Sequence, residues 1–259
     1  MLECQNNSIF VAKKVSILST KSLTIGYSEK NPLLKNVNVN IYDGKLTVLT
    51  GQNGMGKSTL IKTFVKIIKP LSGEIFFDKK NIKEISQKEF SKLLAVVLTD
   101  KFSSENFSAF EIISFGRSPY TGFFGRLLDE DVAVVKNVAE DLKIESLLDK
   151  KFYALSDGQK QKVLIAKALA QEAKIIILDE PTAFLDFNAK DEIFGLLKKV
   201  AINKNIAVLV STHDIFSAVK YADYLWLMSD NSLKTGSTKE MIESEKYFFP
   251  LKNHLTLQS

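Results

Sequence analysis

The sequence has little with which to form disulfides or to cross a membrane. Among its 259 residues there is a single cysteine, Cys4, so no internal disulfide can form. No apolar run approaches the roughly 20 residues that span a bilayer, and residues 1–10 lack the basic and then apolar stretch of a secretory signal. We therefore expect a protein that stays in the cytosol and has no membrane-spanning segment.

Charge of one sign is not concentrated in any one stretch. The chain carries 35 Lys and Arg against 30 Asp and Glu, which gives a net charge of +5 and a pI of about 9.0. Its lysines are scattered, some in pairs such as Lys79-Lys80 and Lys198-Lys199, and aromatic residues are not interleaved with them. This pattern favours a solvated surface over a patch for nucleic acid or anionic lipid, so we expect no nucleic-acid partner.

What is present is a globular composition, 45% hydrophobic and 25% charged, which is enough for one large α/β core. Residues 15–18 and 23–27 have β propensity and residues 37–42 alternate apolar residues with asparagine, which predicts antiparallel strands. In the second half, helical and buried-strand patterns alternate, which predicts a mostly parallel sheet covered on both faces. The predicted helices are residues 158–171, 189–201 and 215–221, and the predicted strands are residues 174–178, 206–210 and 224–228.

A helical region interrupts this alternation at about residues 100–150. Residues 109–115 and 130–142 carry apolar side chains at helical spacing. Between them, residues 116–125 are rich in glycine, proline and aromatic residues, which predicts a loop. We therefore predict a helical insert within the α/β core.

A glycine-rich loop, Gly51-Gln52-Asn53-Gly54-Met55-Gly56-Lys57-Ser58-Thr59, follows a predicted strand at residues 46–50 and precedes a predicted helix at residues 58–68. It fits the pattern G-x-x-x-x-G-K-[ST], in which backbone N–H groups and a helix N-terminus surround phosphates. We predict that Lys57 binds the β and γ phosphates and that Ser58 binds Mg²⁺. The residues of this loop predicted to bind ATP are Gly51, Asn53, Gly54, Gly56, Lys57, Ser58 and Thr59.

Two acids follow a second apolar strand. Residues 175–178 are Ile-Ile-Ile-Leu, and Asp179 and Glu180 come next, at the edge of a parallel sheet where α/β proteins bind ligands. Taken alone, this pattern fits a strand followed by solvated acids equally well. Together with the glycine-rich loop it predicts that Asp179 holds Mg²⁺ through water and that Glu180 orients or deprotonates the attacking water.

A third motif carries a family resemblance. In Leu155-Ser156-Asp157-Gly158-Gln159, Ser156 is suited to cap a helix and Gly158 lets an anion approach, although an ordinary helix cap has the same form. The string resembles the LSGGQ signature of ABC ATPases and, as in that family, precedes the strand that ends in two acids. Phe184-Leu185-Asp186 is similar to the family's D-loop and Ser211-Thr212-His213-Asp214 to its H-loop.

The resemblance runs from about residue 22 to residue 236 and implies a single ABC ATPase domain with a RecA-like P-loop NTPase fold. It implies a nucleotide-binding core with an antiparallel β subdomain at about residues 15–99 and 151–236. A helical subdomain at about 100–150 and a C-terminal tail at 237–259 complete the expected organisation. Members work as head-to-tail pairs, so a second copy of this chain is expected to place Ser156, Gly158 and Gln159 against the ATP held by Lys57.

Two further residues receive roles from the resemblance. Tyr27 occupies the place of the aromatic residue that stacks on adenine, and the alternative is a core or edge tyrosine. His213 follows a predicted strand, so the resemblance implies contact with the γ-phosphate, against the alternative of a structural histidine. The other histidine, His254, is interpreted as a surface residue.

One position departs from the family. Members usually have a glutamine after the strand predicted at residues 94–98, where it contacts Mg²⁺ and the attacking water. Here the residue is Asp100, which offers an oxygen ligand but adds a negative charge near the phosphates. Either Mg²⁺ compensates that charge or the loop is placed differently. Asp157, where the signature usually has glycine, is a smaller departure.

The resemblance also indicates partners. A chain without membrane segments looks like the ATPase of an importer, at the cytoplasmic face of the bacterial inner membrane, with permease subunits and a substrate-binding protein. Phe115-Gly116-Arg117-Ser118-Pro119-Tyr120 resembles a GR-x-P stretch of ATPases that serve iron-siderophore, haem and cobalamin uptake, and its alternative is a loop in which Arg117 is solvated. Rival functions are a soluble ABC ATPase, for example of the iron-sulfur assembly type, and a protein that binds ATP without cleaving it.

Overall fold

The structure is a computed structural model, and it describes residues 16–98, 106–122, 125–229, 231–245 and 248. Two sheets organise the chain, one antiparallel and one mostly parallel. Among the described residues, no helix combines the length and the apolar character needed to cross a membrane.

The antiparallel sheet forms from the first part of the chain, as predicted. Its strands are β1 (Ser16–Ile25), β2 (Leu34–Val37), β3 (Asn40–Tyr42), β5 (Ser72–Phe77) and β6 (Lys80–Asn81). The prediction of a single strand at residues 37–42 is wrong, because β1 bends at Ser22, whose φ is +48°, and pairs with β3 before the bend and with β2 after it. The Asn38 side chain accepts a hydrogen bond from the Ser22 N–H at 2.8 Å and separates the two short strands.

The second sheet has the order β11-β10-β4-β9-β8-β7. Its strands are β4 (Leu46–Gly51), β7 (Leu94–Val97), β8 (Ile175–Asp179), β9 (Ala207–Ser211), β10 (Tyr224–Ser229) and β11 (Ser232–Ser237). All neighbours in it are parallel except β10 and β11. Along β8, Ile175 and Ile177 pack in one buried cluster while Ile176 and Leu178 pack in the other. Both faces of this sheet are therefore covered, as the continuous apolar runs predict.

Helices surround this sheet. They are α1 (Lys57–Phe64), α2 (Gln87–Leu93), α3 (Ala109–Ser114), α4 (Asp129–Asp141), α5 (Asp157–Ala170), α6 (Phe187–Lys204), α7 (Ile215–Tyr221) and α8 (Thr238–Ser244). α3 and α4 lie within the region predicted to be a helical insert, and both pack against α5. The domain boundaries proposed from the sequence stay a prediction.

One predicted helix is too long, and the predicted C-terminal tail contains a helix of its own. The helix predicted at residues 58–68 ends at Phe64, because Lys66 adopts a left-handed φ of +65° and its ammonium group donates to the carbonyl of Ile85 at 2.9 Å. The segment from residue 237, predicted as a tail, contains α8, in which Ser237 and Glu240 form a reciprocal capping box. Met241 of α8 is buried in the core.

Candidate active site

Three neighbouring strands bring the glycine-rich loop, the two acids and His213 to one edge of the parallel sheet. β4 ends at Gly51, β9 at Ser211 and β8 at Asp179, and the three strands are adjacent in the order β4-β9-β8. Because they are parallel, the residues that follow them emerge side by side.

The glycine-rich loop leaves β4 with backbone conformations that suit glycine. φ is +146° at Gly51, +81° at Gly54 and +106° at Gly56. A Cβ atom at Gly51 would lie 2.3 Å from the carbonyl oxygen of Met228, so glycine is required there. Gly56 is the N-cap of α1, which has no side-chain cap and no acid in its first turn. The N-terminus of α1 is therefore positively polarised and suited to an anion.

The Lys57 side chain folds back over this loop. It is only 6% exposed, and its Nζ atom donates to the carbonyl oxygens of Gly51 at 2.8 Å and Gln52 at 3.2 Å. The same Nζ atom lies 3.7 Å from Oε1 of Glu180. The structure thus places the lysine of the loop beside the second acid of the β8 motif.

Glu180 also contacts His213. Its Oε2 atom lies 2.9 Å from Nδ1 of His213, and since a carboxylate only accepts hydrogen bonds, the ring carries a proton on Nδ1. Glu180 adopts a left-handed φ of +49°, a conformation that costs energy for a residue other than glycine. Lys57, Glu180 and His213 therefore form one cluster at the edge of the sheet.

Ser211 connects the two acids, a role that the sequence alone did not predict. Its hydroxyl donates to Oδ1 of Asp179 at 2.5 Å and accepts from the Glu180 N–H at 2.9 Å. The Ser211 carbonyl lies 3.1 Å from the same N–H. Both Ser211 and Asp179 are buried. A hydroxyl residue at the end of a buried strand, directly before Thr212-His213, was the available signal.

Tyr27 lies beside the start of α1. The preceding strand ends at Ile25, two residues earlier than the sequence suggested. The Tyr27 hydroxyl is 3.2 Å from Oγ1 of Thr59, and the side chain is 76% exposed. The alternative of a core tyrosine is therefore wrong, and an aromatic face is open to solvent next to the glycine-rich loop.

The signature residues begin α5. The Ser156 hydroxyl accepts from the Gln159 N–H at 3.3 Å and Oε1 of Gln159 accepts from the Ser156 N–H at 3.1 Å, so the predicted N-cap is confirmed. A Cβ atom on Gly158 would have no neighbour nearer than 3.9 Å, which leaves its surroundings open. Asp186 caps α6, with its carboxylate accepting from the Ala189 N–H at 2.8 Å.

Several predicted residues fall elsewhere. Asp100, Cys4 and His254 lie outside the described residues. Arg117 is 5% exposed, so the interpretation of a solvated arginine is wrong. Two carboxylates and a backbone carbonyl accept hydrogen bonds from its N–H groups.

The site fits a nucleotide phosphate chain better than a resident metal ion. An uncapped helix N-terminus, glycine backbone and a buried lysine all favour anions. Among the residues that the structure describes, no three His, Cys, Asp or Glu side chains gather to hold a metal on their own.

Comparison with known proteins agrees with this geometry. A family model described as ABC transporter matches residues 34–183. An uncharacterised ABC transporter ATP-binding protein of Methanocaldococcus jannaschii is 40% identical over 217 residues, 84% of this chain and 74% of that protein. The iron(3+)-hydroxamate import ATP-binding protein of Bacillus subtilis is 34% identical over 226 residues, 87% of this chain and 84% of that protein.

Solved structures lead to the same family. An inward-facing transporter described as of the metal-chelate ABC type matches with a TM-score of 0.79 and 30% identity, covering 91% of this chain and 90% of that one. This likeness confirms the predicted α/β fold class of a P-loop NTPase with antiparallel and helical parts. The chain belongs to the ABC transporter family and is an ATP-binding subunit that hydrolyses ATP.

Proposed function

We propose that this chain is the ATP-hydrolysing motor of an importer for iron-siderophore or related metal-chelate compounds. The observation that carries the proposal is the match to the iron(3+)-hydroxamate import ATP-binding protein over 84% of that protein's length. The likeness to a metal-chelate type transporter supports it independently. Specificity would reside in the permease and a substrate-binding protein, since motor residues act on ATP.

The glycine-rich loop would hold the ATP. The N–H groups at residues 51–59 would surround the phosphates, and Lys57 would exchange its bonds to the Gly51 and Gln52 carbonyls for the β and γ phosphates. The exposed ring of Tyr27, tied to Thr59 through its hydroxyl, is suited to stack on adenine.

Hydrolysis would depend on the cluster around Glu180. Mg²⁺, when bound with ATP, would neutralise charge on the β and γ oxygens. Ser58, at the start of α1, and Asp179, through water, are the residues suited to hold it. Glu180 would orient the attacking water or accept its proton, and His213 would hold the Glu180 carboxylate and face the γ-phosphate.

A second copy of this chain would complete each site. The Ser156 and Gln159 side chains each accept a hydrogen bond from the other residue's backbone N–H. The space around Gly158 is open, so the start of α5 would be accessible to a partner's ATP. Asp186 lies between Phe184 and Phe187, which are 76% and 72% exposed, as expected at a surface that associates. A head-to-tail homodimer would bury this surface.

The helical part of the chain would meet the membrane subunits. Phe107 and Phe115 pack edge to face there with centroids 5.1 Å apart, yet they are 41% and 38% exposed, and Tyr153 is 63% exposed. These aromatic side chains are suited to a permease loop. The protein would then bind peripherally at the cytoplasmic face of the membrane. We predict that Asp100 replaces the usual glutamine in this coupling.

Transport is tested by genetic complementation. In the organism that encodes this chain, deletion of its gene should lower uptake of a radiolabelled ferric hydroxamate, and the wild-type gene should restore it. The gene with Glu180→Gln should not. Normal uptake in the deletion strain, together with failure of any multi-span protein to co-purify from the native membrane, would favour the soluble alternative.

The head-to-tail arrangement is tested with mixed dimers. In the first pairing one protomer carries Lys57→Ala and the other carries Ser156→Arg, and one composite site stays intact if sites are shared. In the second pairing a wild-type protomer meets the double variant, and no shared site stays intact. ATP turnover in the first pairing alone is expected. Turnover in the second pairing alone contradicts the arrangement, because it means that each site uses its own signature.

A further inference from the structure

Arg117 joins three separate segments of the chain. It ends a short 3-10 helix, Phe115–Arg117, and its Nε atom donates to Oδ1 of Asp131 in the first turn of α4 at 2.8 Å. Its Nη1 atom donates to the Ala170 carbonyl at 2.7 Å and to Oε2 of Glu172 at 2.6 Å. The side chain is 5% exposed, and a buried charge needs partners of this kind to be tolerated. Arg117 therefore holds the C-terminal end of α5 against α4.

Gly116 and Tyr120, on either side of Arg117, also pack closely against the C-terminal end of α5. A Cβ atom on Gly116 would lie 2.2 Å from the Lys167 carbonyl oxygen, so only glycine lets this segment approach α5 so closely. The Tyr120 ring lies 4.1 Å from the Arg117 guanidinium carbon, and its hydroxyl donates to the Gln171 carbonyl at 3.1 Å. A cation at a helix C-terminus is also favourable to the helix dipole.

The C-terminal end of α5, which Arg117 holds at Ala170 and which we call the clamped end, is also bonded to the parallel sheet. The Gln171 amide donates to the carbonyls of Ser91 at 2.5 Å and Leu94 at 2.9 Å, where α2 ends and β7 begins. Five residues after Ala170 the chain enters β8, which leads to Asp179. One end of α5 is thus fixed to the core, while its other end carries Ser156.

From this arrangement we infer that Arg117 is a positioning residue that sets the direction in which α5 presents Ser156 to the partner's nucleotide. The inference rests on the proposed head-to-tail dimer. The 14 residues of α5 span about 21 Å, so a tilt of about 10° at the clamped end moves the signature end by about 4 Å. A misplacement of about 1 Å is enough to slow a positioned reaction by about 100-fold.

The test uses the mixed dimers and places a clamp variant, Arg117→Met with Asp131→Asn, in one protomer at a time. In the Lys57→Ala protomer, the clamp variant acts on the α5 that serves the intact site, and turnover is expected to fall at least about tenfold. In the Ser156→Arg protomer it acts on an α5 whose signature is already disabled, and turnover is expected to stay within about twofold. KM for ATP should be unchanged in both placements, because the loop that binds ATP is not altered.

A matched control removes another ion pair that links the helical part to the core. Lys204 and Asp141 lie 2.6 Å apart with side chains that are 41% and 48% exposed, so Lys204→Met with Asp141→Asn should have no effect in either placement. If the clamp variant does not fold, Gly116→Ala in the same two placements separates the segment from α5 while keeping every charge.

The outcomes are distinguishable. Equal loss in both placements would mean that Arg117 serves stability alone and would overturn the inference, as would no loss in the signature-donating placement. An inactive mixed dimer without any clamp variant would instead contradict the proposed head-to-tail function.

Discussion

At the scale of single residues, Glu180 lies between the side chains of Lys57 and His213. Its carboxylate is 3.7 Å from the Lys57 ammonium and 2.9 Å from the His213 ring. In the proposed phosphate site Lys57 would turn to the nucleotide, so Glu180 would lose one partner when ATP binds and keep the other. We therefore expect the charge of Glu180 to matter for turnover and to matter little for holding ATP.

Glu180→Gln should therefore leave ATP binding intact or slightly tighter, since Lys57 no longer has a competing carboxylate. Turnover should fall by at least about 100-fold, because the amide cannot accept a proton from water. An ATP-bound dimer should accumulate, visible by light scattering after size exclusion. Glu84→Gln, an exposed acid of the antiparallel part, is the control. Turnover near wild type in the Glu180 variant would disprove the assigned role.

Ser211→Ala tests the link between the two acids. The variant loses the hydroxyl that donates to Asp179 and accepts from the Glu180 N–H, which leaves the left-handed backbone at Glu180 less constrained. We expect kcat to fall about tenfold, equivalent to about 1.4 kcal/mol, with little change in KM. Steady-state kinetics across ATP concentration measures both. A rise in KM with unchanged kcat would show that Ser211 serves binding instead.

At the scale of elements, the sequence predicted what depends on short, local patterns. The loop at Gly51 and the acids at the end of β8 were found because a glycine-rich turn and a strand ending in carboxylates need few residues to specify them. The split of residues 37–42 into two strands was not found, because it depends on a bend in the distant Ser22 backbone. The burial of Arg117 was missed for the same reason, since both of its carboxylate partners are remote in sequence.

The first turn of α4 should make the helical part sensitive to acid. The Asp131 carboxylate accepts hydrogen bonds from the Leu128 N–H and from Arg117. These two bonds, the first having the larger effect, hold the pKa of Asp131 below its ordinary value. Since the folded pKa is lowered, the stabilisation is fully present above the ordinary pKa of about 4 and is lost as pH falls through the folded value.

Asp131→Asn checks this dependence. Near neutral pH the variant should unfold in urea with a free energy lower by about 1.5 to 3 kcal/mol, the usual range for a hydrogen bond to a charged group. The difference from wild type should shrink as the pH falls below about 4. A difference that stays constant with pH would mean that packing, and not ionisation, accounts for the loss.

At the scale of the whole molecule, association should control activity. Each site is expected to need two copies, so turnover per chain should rise with protein concentration. Two exposed phenylalanines, Phe184 and Phe187, flank Asp186 on the surface expected to meet the partner. Their apolar area should contribute to the dimer and contribute little to the folded monomer.

Phe184→Ser with Phe187→Ser should thus weaken the dimer while leaving the monomer folded. Burying one phenylalanine contributes about 1.5 to 3 kcal/mol, so the protein concentration at half-maximal turnover should rise at least about tenfold. Turnover at saturating protein should approach wild type, because Lys57, Glu180 and Ser156 are untouched. Ile202→Ser, a 57% exposed residue near the other end of α6, is the matched control and should leave the concentration curve in place. A loss of turnover that high protein concentration does not restore would assign these phenylalanines to the fold or the chemistry instead of to association.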